Sequence, residues 1–318
     1  MATDDQCSST RIQMSIAYLD GVPPAIITQT GLYENEILVV YDADLNKLWQ
    51  FDSLAETNGS GGHTIEVADV DFDGKQEVFD GTTCLNNDGT IRWSIYRQHP
   101  DKVCIHDFLP ERPGLEVYYV VESNAHAGVY MVDANNGKVI WKENRADDPR
   151  WVHGHIGWAA DIWEGSPGIE CIASHNGWKP DIVLFSATGK KLLEPFPYYK
   201  PVEWDGSPAR ELLLNNGHSI GKFDGEKVNV IPGLEPNNIP NSTLLMTADL
   251  FGDFRDELVV QKNIKNGMPE IVVITATTPI NKRFITPTEN WDYRLWLARN
   301  KGGGYGSIRY LELEQPLK

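Results

Sequence analysis

Carboxylates are concentrated in residues 69–77, where Asp69, Asp71 and Asp73 occupy alternate positions and are followed by Gly74 and Glu77. Acids at alternate positions, a glycine for a tight turn and a further acid are the ligand pattern of an oxygen-coordinated Ca²⁺ loop, although the last acid comes earlier here than in an EF-hand. An Asp-rich β-turn with solvated side chains is the alternative. The segment therefore predicts a calcium site. A less complete version consists of Asp249, Asp253, Asp256 and Glu257.

Histidines and carboxylates form a second candidate cluster, which comprises His63, His99, Asp101 and Glu122. Each is expected beside a strand in one of several successive units, so the fold can bring them to one face. A mixed set of imidazoles and carboxylates suits a divalent metal. Histidines scattered on loops are more often structural or exposed, so residue types alone leave both interpretations open. Three histidines on long loops are candidate general acids or bases without an assigned position: His126, His153 and His155.

A repeated pattern of strands must position these residues. A short strand ending near Asp or His is followed by a turn, by an acidic and hydrophobic strand, and by a hairpin. Such units begin at Ile16, Val67, Ile105, Ala159, Val202 and Thr247. A spacing of about 40 to 50 residues is typical of four-stranded propeller blades, which must pack together around an axis to bury their faces. The pattern predicts an all-β fold, a β-propeller with six recognisable four-stranded blades, compatible with six to eight in total.

The hairpins of the first three units end in Trp49, Trp93 and Trp141. Turn residues of the Asp, Asn and Gly types precede each tryptophan, as expected for hairpin loops. Propeller blades use a recurrent aromatic residue to contact the neighbouring blade. We therefore predict that these tryptophans pack between blades and do not form a ligand platform.

The charge of the chain limits its partners. The 318 residues carry a formal net charge of −17, with a pI near 4.8. An acidic surface repels a nucleic-acid backbone, so no nucleic-acid partner is expected. Bound divalent cations would instead attract an anionic substrate. No apolar stretch approaches the length of a membrane span, so we expect a soluble monomer that acts away from membranes.

We expect residues 1–12 to form a polar tail and residues 13–318 to form a single β-propeller domain, since no long linker interrupts the repeats. The first residues lack a basic segment followed by an apolar core, so no signal peptide is expected in this chain. The four cysteines lack the CxxC spacing of a zinc site, and the sequence leaves their pairing open. They are Cys7, Cys84, Cys104 and Cys171.

Six short sequence motifs follow one another along the chain: GGHTIEVADVD at 61–71, HPD at 99–101, ERPGLEV at 111–117, RELL at 210–213, ADLFGDFRDE at 248–257 and DYRL at 292–295. In order and spacing they resemble the serial motifs of bacterial rhamnogalacturonan lyases of polysaccharide lyase family 11, from about residue 12 to the C-terminus. The resemblance implies an eight-bladed, Ca²⁺-binding propeller that cleaves the pectin backbone by β-elimination. It also implies a secreted or periplasmic protein whose leader has been removed.

The resemblance implies that His63, His99 and Asp101 bind calcium. It also implies that Arg210 is the cleft arginine, that Tyr305 is the base or acid, and that sugar hydroxyls contact Asn241 and Thr243. Three departures from the family pattern stand out. Pro100 replaces a glycine, Leu244 stands where the family has a lysine, and the family's N-terminal domain and first two blades have no counterpart. We therefore expect a shortened or trimmed relative.

β-Elimination on a uronate needs a cation or donors to neutralise the carboxylate, a base for the C5 proton and an acid for the leaving oxygen. Arg210 can bind a carboxylate bidentately. A surface salt bridge of Arg210 with Glu211 or a neighbouring acid is the alternative, and Tyr305 can equally be an exposed loop tyrosine without a role.

Two other classes of function compete with the lyase. One is a non-catalytic calcium-binding propeller that acts as a carbohydrate-binding or adhesion module, which the missing lysine and missing blades favour. The other is a quinone-dependent dehydrogenase propeller, suggested by the tryptophan hairpins. The dehydrogenase is the weaker of the two, because the chain lacks adjacent cysteines and only half the units carry the tryptophan.

Overall fold

The computed structural model describes residues 12–33, 35–97, 99–123, 125–177, 181–263 and 267–277, together with residues 279, 286 and 293. Its elements are strands apart from one short helix, α1 (Ser53–Thr57), and one 3-10 turn (Asn215–Gly217). The predicted polar tail lies outside the described residues except for Ile12, which begins the first strand.

Each sheet is built from strands in chain order. The first contains β1 (Ile12–Ala17), β2 (Ala25–Leu32), β3 (Asn35–Tyr41) and β4 (Lys47–Asp52). The second contains β5 (Ile65–Ala68), β6 (Glu77–Asp80), β7 (Thr83–Leu85) and β8 (Ile91–Ser94). The third contains β9 (Pro100–His106), β10 (Glu116–Val121), β11 (Gly128–Asp133) and β12 (Val139–Asn144).

The fourth sheet contains β13 (Gly157–Ala160), β14 (Glu170–Ser174), β15 (Ile182–Phe185) and β16 (Lys191–Leu193). The fifth contains β17 (Lys200–Val202), β18 (Glu211–Leu214), β19 (Ser219–Phe223) and β20 (Val228–Val230). The sixth contains β21 (Ser242–Ala248), β22 (Glu257–Lys262) and β23 (Glu270–Ile274). The predicted all-β fold of six sheets with the strand order of propeller blades is confirmed, with three strands of the sixth sheet lying in the described part.

The hairpin tryptophans pack as predicted. The Trp93 indole donates a 2.9 Å hydrogen bond to the carbonyl of Ala134, in the hairpin loop of the following sheet. A Cβ added at Gly137, where φ is +75°, would lie 2.8 Å from the Trp93 ring. Trp49 and Trp141 repeat the arrangement, with indole hydrogen bonds to the carbonyls of Asn87 and Ala187.

The acid that opens the second strand of five sheets is a buried glutamate with a common role. Its carboxylate accepts a hydrogen bond from a backbone amide in the loop after the first strand. This cap stabilises the strand-to-strand loop and explains the acidic position of the repeat. The pairs are Glu77 with Val70, Glu116 with Phe108, Glu170 with Ile162, Glu211 with Trp204 and Glu257 with Leu250.

The described residues form two compact units. One comprises residues up to Ala159 with Cys171–Phe196, and the other comprises Ala160–Glu170 with the described residues from Pro197 onward. In the first unit, apolar side chains such as Ile27, Phe79 and Tyr119 form two buried clusters. In the second, Leu213 and Val260 belong to another. The single domain expected over residues 13–318 stays a prediction.

Three of the four cysteines lie in the described part of the chain, where Cys84, Cys104 and Cys171 are buried free thiols. They fill core positions as small apolar side chains do. Among the described residues, no helix is long and apolar enough to cross a bilayer.

Candidate functional site

The predicted cluster of His63, His99, Asp101 and Glu122 is assembled in the first unit, with ligand atoms within 4.8 Å of one another. The pairing of β9 with β10 explains half of it. Val121 lies opposite Pro100, so Glu122 falls beside His99, and the Glu122 amide donates to the His99 carbonyl at 3.0 Å.

The distances inside the cluster are those of a compact polar centre. Nε2 of His63 lies 3.2 Å from Oδ1 of Asp101. Nε2 of His99 lies 3.6 Å from the same oxygen and 3.5 Å from Oε2 of Glu122. The three side chains of His63, His99 and Asp101 are almost entirely buried.

Two histidines left without a position by the sequence complete the centre. Nε2 of His153 lies 3.2 Å from Oε1 of Glu122, and Nδ1 of His155 contacts Oδ2 of Asp101. Their rings stack with centroids 5.5 Å apart. We call the six side chains the His/Asp/Glu centre: His63, His99, Asp101, Glu122, His153 and His155.

Backbone contacts orient this centre. Nδ1 of His99 donates a 2.8 Å hydrogen bond to the carbonyl of Gly61, which leaves Nε2 directed toward the carboxylates. Such a second contact fixes the ring and the tautomer of a metal-binding histidine. The Gly61 segment is itself held, because the carboxylate of Glu36 accepts a 3.0 Å hydrogen bond from the Gly62 amide.

The pKa values of the two carboxyl groups in the centre are shifted in opposite directions. Burial alone would raise the pKa of Asp101, but the close imidazoles of His155, His63 and His99 outweigh it and lower that pKa far below its usual range. Burial and then repulsion by Asp101 raise the pKa of Glu122 to about 8. A bound cation would lower that pKa by favouring the ionised carboxylate.

The donor types differ from those of a calcium site. Calcium takes six to eight oxygen ligands, whereas four of the six side chains here offer imidazole nitrogen. Imidazole suits divalent transition metals. Groups of these side chains could hold a divalent metal ion.

The acidic loop at residues 69–77 is arranged as a capped turn with an oxygen cluster. Asp69 accepts hydrogen bonds from the amides of Asp73 and Gly74, and its carboxylate lies within 4.8 Å of those of Asp71 and Glu77. Asp73 is not part of that group and accepts from the Lys75 amide. All donors are oxygens, which suits calcium.

A cation of the protein already contacts this oxygen cluster. Nη2 of Arg92 lies 2.8 Å from Oδ2 of Asp71, and Nη1 lies 3.7 Å from Oε1 of Glu77. A calcium ion at the loop would therefore compete with the Arg92 guanidinium.

Arg210 lies in the second unit, just before β18, and is 4 % exposed. Its Nε lies 3.9 Å from Oε2 of Glu203, which is equally buried. Burial raises the pKa of Glu203 to about 8 although Arg210 lowers it. Of the acids near Arg210 in sequence, Glu203 lies beside its guanidinium and Glu211 contacts Lys222 at 3.0 Å, and Arg210 is buried and not on the surface.

The other predicted substrate residues are placed as follows. Asn241 and Thr243 are exposed at the start of β21. Between and after them, Ser242 and Leu244 point into the protein, and Leu244 belongs to the core cluster of the second unit. Tyr305 lies outside the described residues.

The less complete acidic loop of the last unit is held by its own amides. Asp249 accepts hydrogen bonds from the amides of Gly252, Asp253 and Phe254. Asp253 contacts the Arg255 guanidinium at 2.6 Å. These contacts explain Asp249 and Asp253 as turn residues.

A family model described as "Rhamnogalacturonan lyase family 11, C-terminal domain" matches residues 7–307. The chain belongs to this family. Rhamnogalacturonan endolyase YesW of Bacillus subtilis (strain 168) is 35% identical over 303 residues, which cover 91% of this chain and 46% of the relative. Rhamnogalacturonan exolyase YesX of the same organism is 30% identical over 313 residues, covering 91% of this chain and 50% of the relative.

Solved structures of family 11 lyases have a similar fold. The structure of rhamnogalacturonan lyase YesW superposes with a TM-score of 0.76 at 32% identity, over 94% of this chain and 51% of that one. The rhamnogalacturonan lyase PL11 of Bacillus licheniformis gives 0.75 at 31% identity, over 96% and 53%. The chain spans about half the length of the family 11 lyases that it matches.

Sequence reasoning on this family 11 chain missed the role of His153 and His155. Both follow a long loop, and nothing in their spacing indicated which strand ends they would approach. Their pattern, two histidines separated by one residue before a buried strand, was the available signal. The pair of buried acids at Glu36 and Asp80 was missed for the same reason, since only the fold brings them together.

Proposed function

We propose that this chain forms part of a polysaccharide lyase that cleaves an acidic, rhamnose-containing polysaccharide of the rhamnogalacturonan I type by β-elimination. The observation that carries the proposal is its membership of the family 11 lyases, with a match over residues 7–307. The relatives are named as an endolyase and an exolyase, so both modes of cleavage are compatible with this chain.

Arg210 is proposed to bind the uronate carboxylate. It lies beside the buried Glu203, and burial raises the pKa of that acid to about 8. A bidentate guanidinium contact would orient the sugar and favour loss of the C5 proton. Tyr305 is proposed as the base or acid, and Asn241 and Thr243 as contacts for sugar hydroxyls.

Calcium is proposed for the oxygen cluster of Asp69, Asp71 and Glu77, where every donor is of the type that it prefers. A bound calcium ion would supply positive charge that attracts an anionic polymer to a protein of net charge −17. The residues of the chain would then position the polymer, and the ion would make the local electrostatic potential more positive.

The substrate class also suggests where and how the protein acts. Pectic polymers lie outside the cell, so we propose that the protein is secreted or periplasmic and acts as a monomer on the polymer. Neither a nucleic acid nor a membrane is part of the proposal, in keeping with the acidic charge.

A non-catalytic, carbohydrate-binding role is the second candidate. It is favoured by Leu244, which stands at the lysine position of the family motif and lies 8 % exposed in a core cluster.

Products separate the two functions. The chain is incubated with rhamnogalacturonan and millimolar Ca²⁺, and the fragments are separated by size and their new ends identified. Shorter chains with a C4–C5 double bond support the lyase. Retention of the chain on immobilised polymer with no shortening supports the binding module, and saturated new ends would contradict β-elimination.

A further inference from the structure

We propose that Arg97, together with Tyr130 and His126, forms a second binding site for a uronate carboxylate of the polymer. The inference rests on the proposed function for the nature of its ligand, and it adds a cation that lies outside the family motifs and the contacts assigned above. It concerns binding, which can be measured without cleavage.

The third sheet brings these residues to the end that carries the His/Asp/Glu centre. Arg97 lies in the loop that leads from β8 into β9, two residues before His99. His126 lies in the loop after β10, four residues after Glu122. Because β9 and β10 are antiparallel, the start of one strand and the end of the other lie at the same end of the sheet. The two loops that supply residues of the centre therefore also supply the proposed site.

Arg97 differs from three other arginines of the first unit in its lack of an acidic partner. Arg92, Arg112 and Arg150 each contact a carboxylate, at 2.8, 3.0 and 2.6 Å. Among the described residues, no carboxylate forms an ion pair with the Arg97 guanidinium, and its Nε is buried without a hydrogen-bond partner. A buried donor without a partner is costly, and an anionic ligand would satisfy it.

Aromatic and backbone contacts hold Arg97 in place. The guanidinium carbon lies 5.8 Å from the centroid of the Tyr130 ring, within the range of a cation–π contact. The Tyr130 hydroxyl donates a 2.9 Å hydrogen bond to the His126 carbonyl and accepts one of 3.0 Å from the Asn144 amide, which fixes the ring. The Arg97 amide donates to the Thr82 hydroxyl at 3.3 Å. The cation is therefore preorganised for a planar anion.

The groups around the guanidinium suit a sugar. Burial and then the positive charge of Arg97 lower the pKa of His126, so its imidazole is neutral at pH 7 and offers one donor and one acceptor. Tyr96 precedes Arg97, is 52% exposed and has a φ of +50°, which is uncommon for a residue with a side chain. A neutral hydrogen-bonding ring and an exposed aromatic ring can contact the hydroxyls and the apolar face of a sugar.

The charge of the protein makes such a cation necessary. A rhamnogalacturonan chain carries uronate carboxylates at regular intervals, and each one that approaches a protein of net charge −17 needs a local positive charge. A guanidinium can bind the carboxylate bidentately. The Arg97 site is therefore expected to raise affinity for the polymer and to take no part in breaking the bond.

A comparison of two ligands tests the proposal. A rhamnogalacturonan tetrasaccharide and the same tetrasaccharide with its carboxylates reduced to alcohols are titrated by calorimetry. The Arg210→Ala background prevents cleavage and removes the other proposed carboxylate contact. We expect reduction to weaken binding about tenfold to a hundredfold, and Arg97→Gln to remove most of that difference. Lys138→Gln removes an exposed positive charge at the opposite end of the third sheet and should preserve the difference.

A second measurement uses the unchanged chain, so it does not depend on variants that fold. Phenylglyoxal modifies guanidinium groups, and its rate of reaction at the partly exposed Arg97 is followed by mass spectrometry of peptides. The native tetrasaccharide should protect Arg97 but not Arg112, and the reduced one should protect neither.

Four outcomes would each overturn the proposal. They are no binding of the native tetrasaccharide, equal affinities for the two ligands, a difference that survives Arg97→Gln, and a lack of protection at Arg97. Neither measurement follows bond cleavage, so the proposed lyase can fail or stand separately.

Discussion

The buried carboxyls of Glu36 and Asp80 lie side by side beneath the Gly61–Gly62 segment that orients His99. Glu36 accepts a 3.0 Å hydrogen bond from the Gly62 amide, and both acids are fully buried. Burial and then the proximity of Asp80 raise the pKa of Glu36 well above its usual value, and burial raises that of Asp80. The pair therefore retains a proton under conditions where exposed acids have lost theirs.

This pair should make stability depend on pH. Because both folded-state pKa values are raised, the stabilising contribution of the pair is complete below the unfolded values near 4 and is lost as pH rises through the folded values. Glu36→Gln removes one titrating group, so the stability advantage of the wild type over the variant should shrink as pH rises above the unfolded-state pKa values. Urea unfolding at several pH values measures it, with exposed Glu56→Gln as the control. Parallel pH profiles for wild type and Glu36→Gln would contradict the shared proton.

The contact between tryptophan and glycine that joins neighbouring sheets should be sensitive to a single methyl group. Gly137→Ala combines a positive φ with a Cβ placed 2.8 Å from the Trp93 ring. We expect a loss of about 2–4 kcal/mol in the free energy of unfolding, the upper part of the range for core overpacking plus backbone strain.

Gly114→Ala provides the matched control, because φ is +101° there and nothing lies within 4 Å of the added Cβ. It should lose only the backbone part, about 1 kcal/mol. Equal losses in the two variants, measured by denaturant unfolding, would show that the tryptophan contact contributes little.

Much of the fold could be predicted from the sequence because the residues of each repeat unit determine the strands and turns of that unit. Strands, turns and the hairpin tryptophans follow from the alternation and turn residues within each unit, and Trp49, Trp93 and Trp141 pack as expected. The recurrent acid was visible too, but its role was not, since a glutamate that caps a loop and one that binds an ion have the same sequence signature.

The centre could be predicted only in part. Asp101 and Glu122 were recognised because strand ends on neighbouring strands converge. His153 and His155 reach the centre from a long loop, and loop paths depend on tertiary packing that the repeat does not encode. The surroundings of Arg210 could not be predicted either. Only the folded structure shows that Arg210 and Glu203 are both buried and lie side by side.

Calcium should stabilise the protein through the oxygen cluster at residues 69–77. A ligand that binds only the folded state adds about 2.7 kcal/mol at a hundredfold excess over Kd. The melting temperature should therefore be higher in millimolar Ca²⁺ than in EDTA, and Asp71→Asn should abolish most of the difference. Asp20→Asn, which alters an exposed acid 3.5 Å from Lys75, should retain it. Identical melting curves with and without calcium in the wild type would remove the ion from this loop.

Arg210 should matter for turnover more than for folding. Its removal leaves Glu203 buried, but an acid whose pKa is already about 8 can remain neutral. We expect Arg210→Ala to lower turnover about a hundred- to a thousandfold, as for the loss of one preorganised charge contact. Arg210→Lys should recover only part, because lysine lacks the bidentate geometry. Circular dichroism and melting curves serve as controls for folding, and normal turnover in a folded Arg210→Ala would exclude the assigned role.

Formation of an unsaturated product distinguishes a lyase from a binding protein. Absorbance of the new C4–C5 double bond is followed while the intact chain acts on rhamnogalacturonan in the presence of Ca²⁺, with polygalacturonan that lacks rhamnose as the matched polymer. We expect absorbance to rise steadily with rhamnogalacturonan and far less with the control polymer. A chain that binds rhamnogalacturonan but yields no unsaturated product, with calcium and with transition metals supplied, would contradict it.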